Sequence, residues 1–523
     1  MPDTYTLAIY GIPLFLALAV LRHLAQRRRG SLPPGPRGLP IIGNLLEMPT
    51  EYEFKHWAKH KDIYGPISSV TVLGQPIVLL NSLEGCVDLL DKRSSVYSGR
   101  PTMHFAGTMI KWDLQMILSP YGERFRAMRK LVARQIGSKA AVAKPAIRAA
   151  QEREIRHFLA RVCEQPDDLL HELRLTTAAV FMRLSHGYII SKDANKPDPL
   201  LKLIDTAAEE FYVATRPGAW AVDTFPFLRH IPDWFPGAGF KHVAKEFLKT
   251  NLEQVEIPLA YVKSEIRAKR APSSFTADAL EGGQFDDSVI MCAAGSLFAG
   301  GTDTVVATMG TFILLMIRHP EIQQKAQAEL DALLGGRRLP TLDDKENLPY
   351  LTAVHKEVLR WHIIGPMGIP HSTTADDYYK GYFIPKGTIV FSNLWAISQD
   401  TAHHAEPTIF NPERFLGPTP ELDPHKYAFG FGRRMCPGMD LSDANVFLFM
   451  ALVLSVLEFG KGKGEVEGGP EPLFHSGTVS HPKPYKYSVK PRSEEAVRLI
   501  QAANDEIPPR ESDAPKVKGI LVP

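Results

Sequence analysis

Cysteine is scarce in this chain, with four in 523 residues. Cys86, Cys163, Cys292 and Cys436 are widely separated and show neither the spacing of a zinc site nor that of a redox dithiol. A disulfide framework is excluded, and a reducing compartment fits. An excess of charge is missing too. Sixty basic side chains face 58 acidic ones and leave a formal net charge of +2, too balanced for a protein that works by gripping nucleic acid phosphates. There are no internal repeats, and no glycine-rich fingerprint announces a flavin or nicotinamide module. What is plentiful is apolar surface. Hydrophobic residues make up 44% and aromatic residues 9%, which supplies a large core and argues against general disorder. The length suits about three average domains or one large single-core fold.

The ends differ from the middle. Leu7 to Leu21 is almost wholly apolar, and continued through Ala25 it makes a helix of about 28 Å, close to the hydrocarbon thickness of a bilayer. Ala17-Leu18-Ala19 resembles a signal-peptide cleavage site. Against cleavage, no Lys or Arg precedes Leu7, whereas Arg22, Arg27, Arg28 and Arg29 follow the run. That polarity keeps the body on the cytosolic side of an uncleaved anchor. Residues 1–31 are therefore expected to be anchor and basic flank, and 32–36, Leu-Pro-Pro-Gly-Pro, a stiff hinge. Residues 37–504 form the body, and 505–523 are expected to stay disordered for want of apolar surface.

Within the body, Ser68 to Leu80 reads as two short strands about a turn at Gly74-Gln75. Helical periodicity then dominates, over 84–92, 122–135, 146–164, 198–212, 241–269, 286–318, 320–334 and 351–361. Further strands are expected at 372–374 with 382–384, at 388–392 and near 485–489. The fold class is mainly α, with small sheets.

Three motifs carry chemistry. The first is Phe429 to Gly438, FGFGRRMCPG, which sets the lone Cys436 in a glycine- and arginine-rich loop before an apolar helix. Gly430 and Gly432 allow a tight backbone, and Pro437 suits the first turn of a helix whose positive end stabilises a thiolate. Such a loop presents one sulfur to a metal. The second is GGTDT, Gly300 to Thr304, at the middle of the longest helix, where each glycine costs about 1 kcal/mol against alanine. Asp303 argues against a membrane span there. Something must compensate for that cost, and taken alone the motif also suits a kinked core helix with a paired Asp. The third is EVLR, in which Glu357 and Arg360 share a helix face, with Arg414 downstream in NPERF. Taken alone, that pair is an ordinary surface ion pair.

Together, in order and spacing from Pro33 to about Pro491, these motifs resemble those of the cytochrome P450 haem-thiolate monooxygenases, and the stretch Val222 to Gly237 looks like that of fungal microsomal members of secondary metabolism. Phe429, Gly432, Arg434, Cys436 and Gly438 fill the cysteine-loop pattern, and Gly300, Gly301, Asp303 and Thr304 fill the distal-helix pattern. The resemblance implies the cytochrome P450 fold and haem b with Cys436 as axial thiolate. It makes Asp303 and Thr304 the proton relay and joins Glu357, Arg360 and Arg414 in a buried network. Arg129, His371 and Arg434 are implied as partners of the haem propionates, although Arg126, Arg129 and Lys130 also suit a solvated helix face. One position departs: Phe125 stands where the family has Trp, and a phenyl ring donates no hydrogen bond.

The implied reaction takes dioxygen and a lipophilic substrate, with electrons from NADPH through a separate reductase docking near Arg126, Lys130 and Arg433. Residues 97–119, 211–237, 298–299, 363–369 and 476–478 are expected to face substrate. The implied address is the endoplasmic reticulum membrane. Two rivals stand beside this reading: a haem-thiolate isomerase or dehydratase working without electrons, and a non-catalytic haem sensor. The Asp303-Thr304 pair and the lack of a signalling module count against them.

Overall fold

The computed structural model describes residues 30–193, 195–463 and 473–520. The anchor expected over residues 7–21 lies outside them. Helices dominate: α1 (Glu123–Gln135), α2 (Pro145–Glu164), α3 (Leu169–His186), α4 (Pro199–Thr215), α5 (Phe240–Arg267), α6 (Phe275–Gly282), α7 (Asp287–Arg318), α8 (Pro320–Leu334), α9 (Pro349–Trp361), α10 (Met439–Val456), α11 (Glu494–Glu506) and α12 (Ala514–Lys518). Their ends follow from local chemistry. At α4 the Asp198 carboxylate accepts from the backbone N–H groups of Leu200 and Leu201, with Pro199 opening the first turn. α8 starts at Pro320 and stops at Gly335, which takes the left-handed conformation.

Two helices run through the core. α10 is buried along nearly all of Val446–Val456, and α7 packs against α3, α5, α9 and α10. Both are long and apolar enough to cross a membrane, but they are core helices of the body. Glycine lets neighbours close on α7: a side chain at Gly301 would collide with the Phe181 ring of α3, and one at Gly295 would come within 2.6 Å of Val255 on α5. This close packing offsets the poor helix propensity of the motif.

Strands β1 (Ile67–Val72), β2 (Gln75–Leu80), β3 (His371–Ser372) and β6 (Ile389–Ser392) form one sheet in the order β1-β2-β6-β3. β4 (Asp377–Tyr379) pairs with β5 (Tyr382–Ile384), and β7 (Leu457–Lys461) with β8 (Tyr487–Pro491). The expected pairing of 372–374 with 382–384 is corrected here. β3 pairs with β6, while Lys380 and Gly381, both at positive φ, close a tight hairpin between β4 and β5. Strands of two or three residues carry too little alternation to fix a long-range partner.

The expectation of a disordered tail after residue 504 is also corrected. α11 continues to Glu506 and buries Ala496, Ile500 and Ala503. α12 then buries Val517 completely. The Asp513 carboxylate accepts from the Ile189 N–H at 2.9 Å, and Lys516 meets Glu265 at 3.1 Å. Average composition concealed these few well-placed anchors.

Candidate active site

Cys436 lies between a short turn, Gly432–Arg434, and the N-terminus of α10. Its N–H donates to the Phe429 carbonyl at 2.8 Å, closing the loop. Gly430 and Gly432 have φ of 77° and 54°, and a side chain at Gly432 would strike the Leu90 carbonyl, so this position demands glycine. At Gly438 an added Cβ would stand 4.0 Å from the Cys436 sulfur. Burial pushes the Cys436 thiol up, opposed by a hydrogen bond from the Gly438 backbone and by the charge of Arg129.

The Cys436 side chain is accessible to solvent, although burial acts strongly on its thiol. Arg100, Arg129 and Arg434 gather there. Nη1 of Arg129 donates to the Met435 carbonyl at 2.7 Å, inside the cysteine loop. Arg434 donates to the carbonyls of Ser98 and Ser119 at 2.9 and 2.8 Å, while its Nη1 is buried without a partner. Arg100 spends its donors on the carbonyls of Ile117, Ile369 and Pro370. Burial lowers all three guanidinium pKa values; Arg434 adds to the effect at Arg100, and Arg129 adds to it at Arg434, which falls to about 10. His371, bonded through Nδ1 to the Tyr97 carbonyl at 2.7 Å, is held neutral, its pKa pushed down to about 3 by burial and by Arg100.

Among the described residues none of these three arginines has a carboxylate partner within ion-pair distance. Clustered, half-desolvated cations with an orphaned donor call for an anionic group, and haem propionates meet that need. Among the described residues, too, no three His, Cys, Asp or Glu side chains gather around a bare metal ion. A lone thiolate suits an iron whose other ligands come from a macrocycle. The residues present fit haem.

Arg100 escaped the sequence reading, although an arginine beside Pro101 in an otherwise apolar stretch was the available signal. Phe125 also gains a role. Its ring is buried and carries the Arg434 guanidinium at 3.9 Å from its centroid, with Tyr121 at 5.6 Å on another side.

On α7 the two glycines separate in purpose. Gly300 faces open space, and Gly301 is filled by Phe181. Only the first leaves room for a ligand. The Thr304 hydroxyl donates to the Gly300 carbonyl at 2.7 Å. Asp303 turns elsewhere: its Oδ2 accepts from the Tyr212 hydroxyl of α4 and faces His481 Nε2 at 3.1 Å, while Arg174 of α3 stands 3.8 Å from Oδ1. Burial would raise the Asp303 carboxyl, but the His481, Tyr212 and Arg174 contacts outweigh it and hold it below the usual range. The expected pair is thus adjacent in the chain but shares no hydrogen bond; Tyr212 comes from a segment expected to face substrate, and His481 lies just beyond another.

Glu357, Arg360 and Arg414 meet in full burial. Arg360 clasps Glu357 with two bonds of 2.6 and 2.7 Å and also reaches the Ser398, Pro407 and Ile409 carbonyls. Arg414 reaches Glu357 at 3.1 Å and Glu421 at 2.8 Å. Every charge is partnered, which a buried network requires.

Comparison with known proteins agrees with this geometry. The family model for cytochrome P450 matches residues 33–489. The chain is 55% identical, over 93% of its length and 91% of the relative's, to the cytochrome P450 monooxygenase claR of Ampulloclitocybe clavipes. It is 43% identical to cytochrome P450 monooxygenase 208 of Postia placenta, over 95% and 97% of the two chains. It is 33% identical to an O-methylsterigmatocystin oxidoreductase of Aspergillus flavus, over 97% of each. With a matching family model over most of its length and monooxygenase relatives of 55% and 43% identity over nearly all of it, the chain belongs to the cytochrome P450 family and is a monooxygenase.

Proposed function

We propose that this enzyme oxidises a lipophilic secondary metabolite, a terpenoid, polyketide or indole, at the endoplasmic reticulum membrane, with electrons from an NADPH-dependent reductase. The observation that carries this reading is the accessible Cys436 with three arginines close to it that have no carboxylate partner among the described residues. Haem bound there supplies the activation of dioxygen. Arg100, Arg129 and Arg434 would hold its propionates, and Cys436 its iron.

Two segments expected to face substrate pack against one another through aromatic rings. Phe105 stacks on Trp220 with centroids 3.6 Å apart, and Trp112 lies 4.6 Å from Phe211. These rings belong to a buried apolar cluster, surroundings that suit an apolar ligand. Proton delivery is assigned to Asp303 and Thr304, with Thr304 placing its hydroxyl at the open side of Gly300. Because Asp303 is held by Tyr212 and His481, its share of the relay includes exchanging one of those contacts.

Support for the membrane comes from apolar side chains left in water. Ile41 and Leu46 near the hinge, and Phe227 and Trp234 in the stretch between α4 and α5, are exposed, Trp234 by 81%. Arg126, Lys130 and Arg433 are exposed on the cysteine-loop side and suit an acidic reductase face. The test is incubation of the full-length holoenzyme with reductase, NADPH and a panel of these three substrate classes. Oxygenated product whose yield follows NADPH supports the proposal. Product formed equally without NADPH would establish the isomerase reading instead.

A further inference from the structure

Phe429, whose carbonyl takes the Cys436 N–H, has a second neighbour that the chemistry above does not use. The His425 imidazole stacks on its ring, with centroids 5.7 Å apart and planes inclined by 22°. Both ring nitrogens of His425 face carboxylates: Nδ1 meets Asp423 and Nε2 meets Asp443, each at 2.7 Å. An imidazole with a carboxylate at each nitrogen is a donor twice over and carries a positive charge.

The surroundings keep it so. Lys356 of α9 holds Asp423 at 2.8 Å. Lys345 holds Asp443 at 2.7 Å and lies 4.8 Å from the Phe447 ring centroid of α10. His355, also on α9, faces Asp443 at 3.6 Å but is buried and neutral, its pKa pushed down to about 3. Three cations against two carboxylates leave one net positive charge, pressed against the residue that closes the cysteine loop. Burial pulls the His425 pKa down, but Asp423 and Asp443 outweigh it and raise it to about 9.

We propose that His425 is a positioning residue of the haem-thiolate centre: a standing imidazolium that seats the Phe429 ring beneath the cysteine loop and favours the reduced state of the iron. Reduction adds one electron to the centre, and a fixed cation nearby stabilises the more negative form. The inference rests on Cys436 being the iron ligand.

The test is the midpoint potential of the full-length holoenzyme by spectroelectrochemical titration from about pH 6 to about pH 10, for the parent, His425→Gln and His425→Arg. The CO-bound spectrum is recorded for each. Gln keeps an N–H donor and loses the charge, so its potential is expected to fall, with the reduced-to-oxidised ratio at a fixed poise dropping about threefold or more. That gap should close as pH rises through about 9, where the parent loses the same charge. Arg keeps the charge, so the parent should drift below it over the same range. A gap to Gln that is absent, or that persists unchanged to about pH 10, would overturn the proposal. If Gln fails to retain haem, an Arg variant that tracks the parent through about pH 10 overturns it equally. Absence of the thiolate-type CO band in the parent would instead refute the ligand assignment.

Discussion

The Arg434 guanidinium lies 3.9 Å from the centroid of the Phe125 ring, a cation seated on an aromatic face with no carboxylate partner among the described residues. The family's indole at this position is thus replaced by a ring that supports the arginine from below rather than donating a hydrogen bond itself. Phe125→Leu should lose about 0.5–2 kcal/mol of cation–π attraction and speed transfer of haem to an apo-globin acceptor. Phe125→Trp should give no gain. The site is filled by Arg434 and Tyr121, and overpacking costs about 1–3 kcal/mol, more than one net hydrogen bond returns. A slower haem loss in the Trp variant than in the parent would contradict this.

Replacement of Cys436 by Ser should abolish the strongly red-shifted band of the reduced, CO-bound protein while circular dichroism reports a helical body. Retention of that band would place the iron ligand elsewhere.

Thr304→Ala removes the hydroxyl beside Gly300 but leaves the Asp303 contacts in place. Substrate binding should persist, product per NADPH should fall and peroxide should rise, because proton delivery is mistimed. Tyr212→Phe removes one donor to Asp303 and should alter that ratio less than Thr304→Ala does. Equal product per NADPH in the parent and Thr304→Ala, at equal haem content, would count against the relay.

Glu357→Ala leaves two buried guanidinium groups facing each other, a defect of about 3–5 kcal/mol. Thermal unfolding of the holoprotein and haem content after purification should both report it. Because Arg360 also ties down the carbonyls of Ser398, Pro407 and Ile409, Arg360→Lys should rescue little, lacking the fork.

Acid stability should depend on Glu154. It is buried between Lys192 at 2.6 Å and Arg183 at 2.9 Å, and although burial pushes its carboxyl up, those cations bring it down to about 2 from 4.5. A folded pKa below the unfolded one gives stability that is fully present above about 4.5 and is lost as pH falls towards about 2. The contribution is at most about 3 kcal/mol, since the same burial penalises Lys192. Glu154→Gln should lower the melting temperature at neutral pH and flatten its fall across this range.

Much of the architecture was legible because strong local signals sit where tertiary forces agree with them. α8 begins at Pro320 and ends before Gly335, and its limits were read directly; β1 and β2 were found to within one residue. α3 was missed. Leu169–His186 is buried on nearly every face, so it shows no polar stripe to mark its period. The tight cysteine loop could be read from its glycines, which backbone close approach demands, whereas the burial of the Glu357 network came only from the family resemblance, since its spacing alone suits a surface ion pair. The Asp303 contacts could not, because Arg174, Tyr212 and His481 reach it from chain positions up to 178 residues away. His425 is similar in part: Asp423 is two residues before it, but Asp443 lies 18 residues on, beyond Cys436 in the chain.

The docked C-terminal segment bears on how this protein is handled. A truncation drawn after residue 504, as the charged composition invites, cuts into α11 and removes α12, whose Val517 is wholly enclosed and whose flanking Asp513 ties off the backbone at Ile189. The resulting protein would present bare apolar surface on α4 and α5 to its neighbours in solution, so poor yield from such a shortened form would reflect aggregation at that exposed seam and say nothing about its catalytic parts.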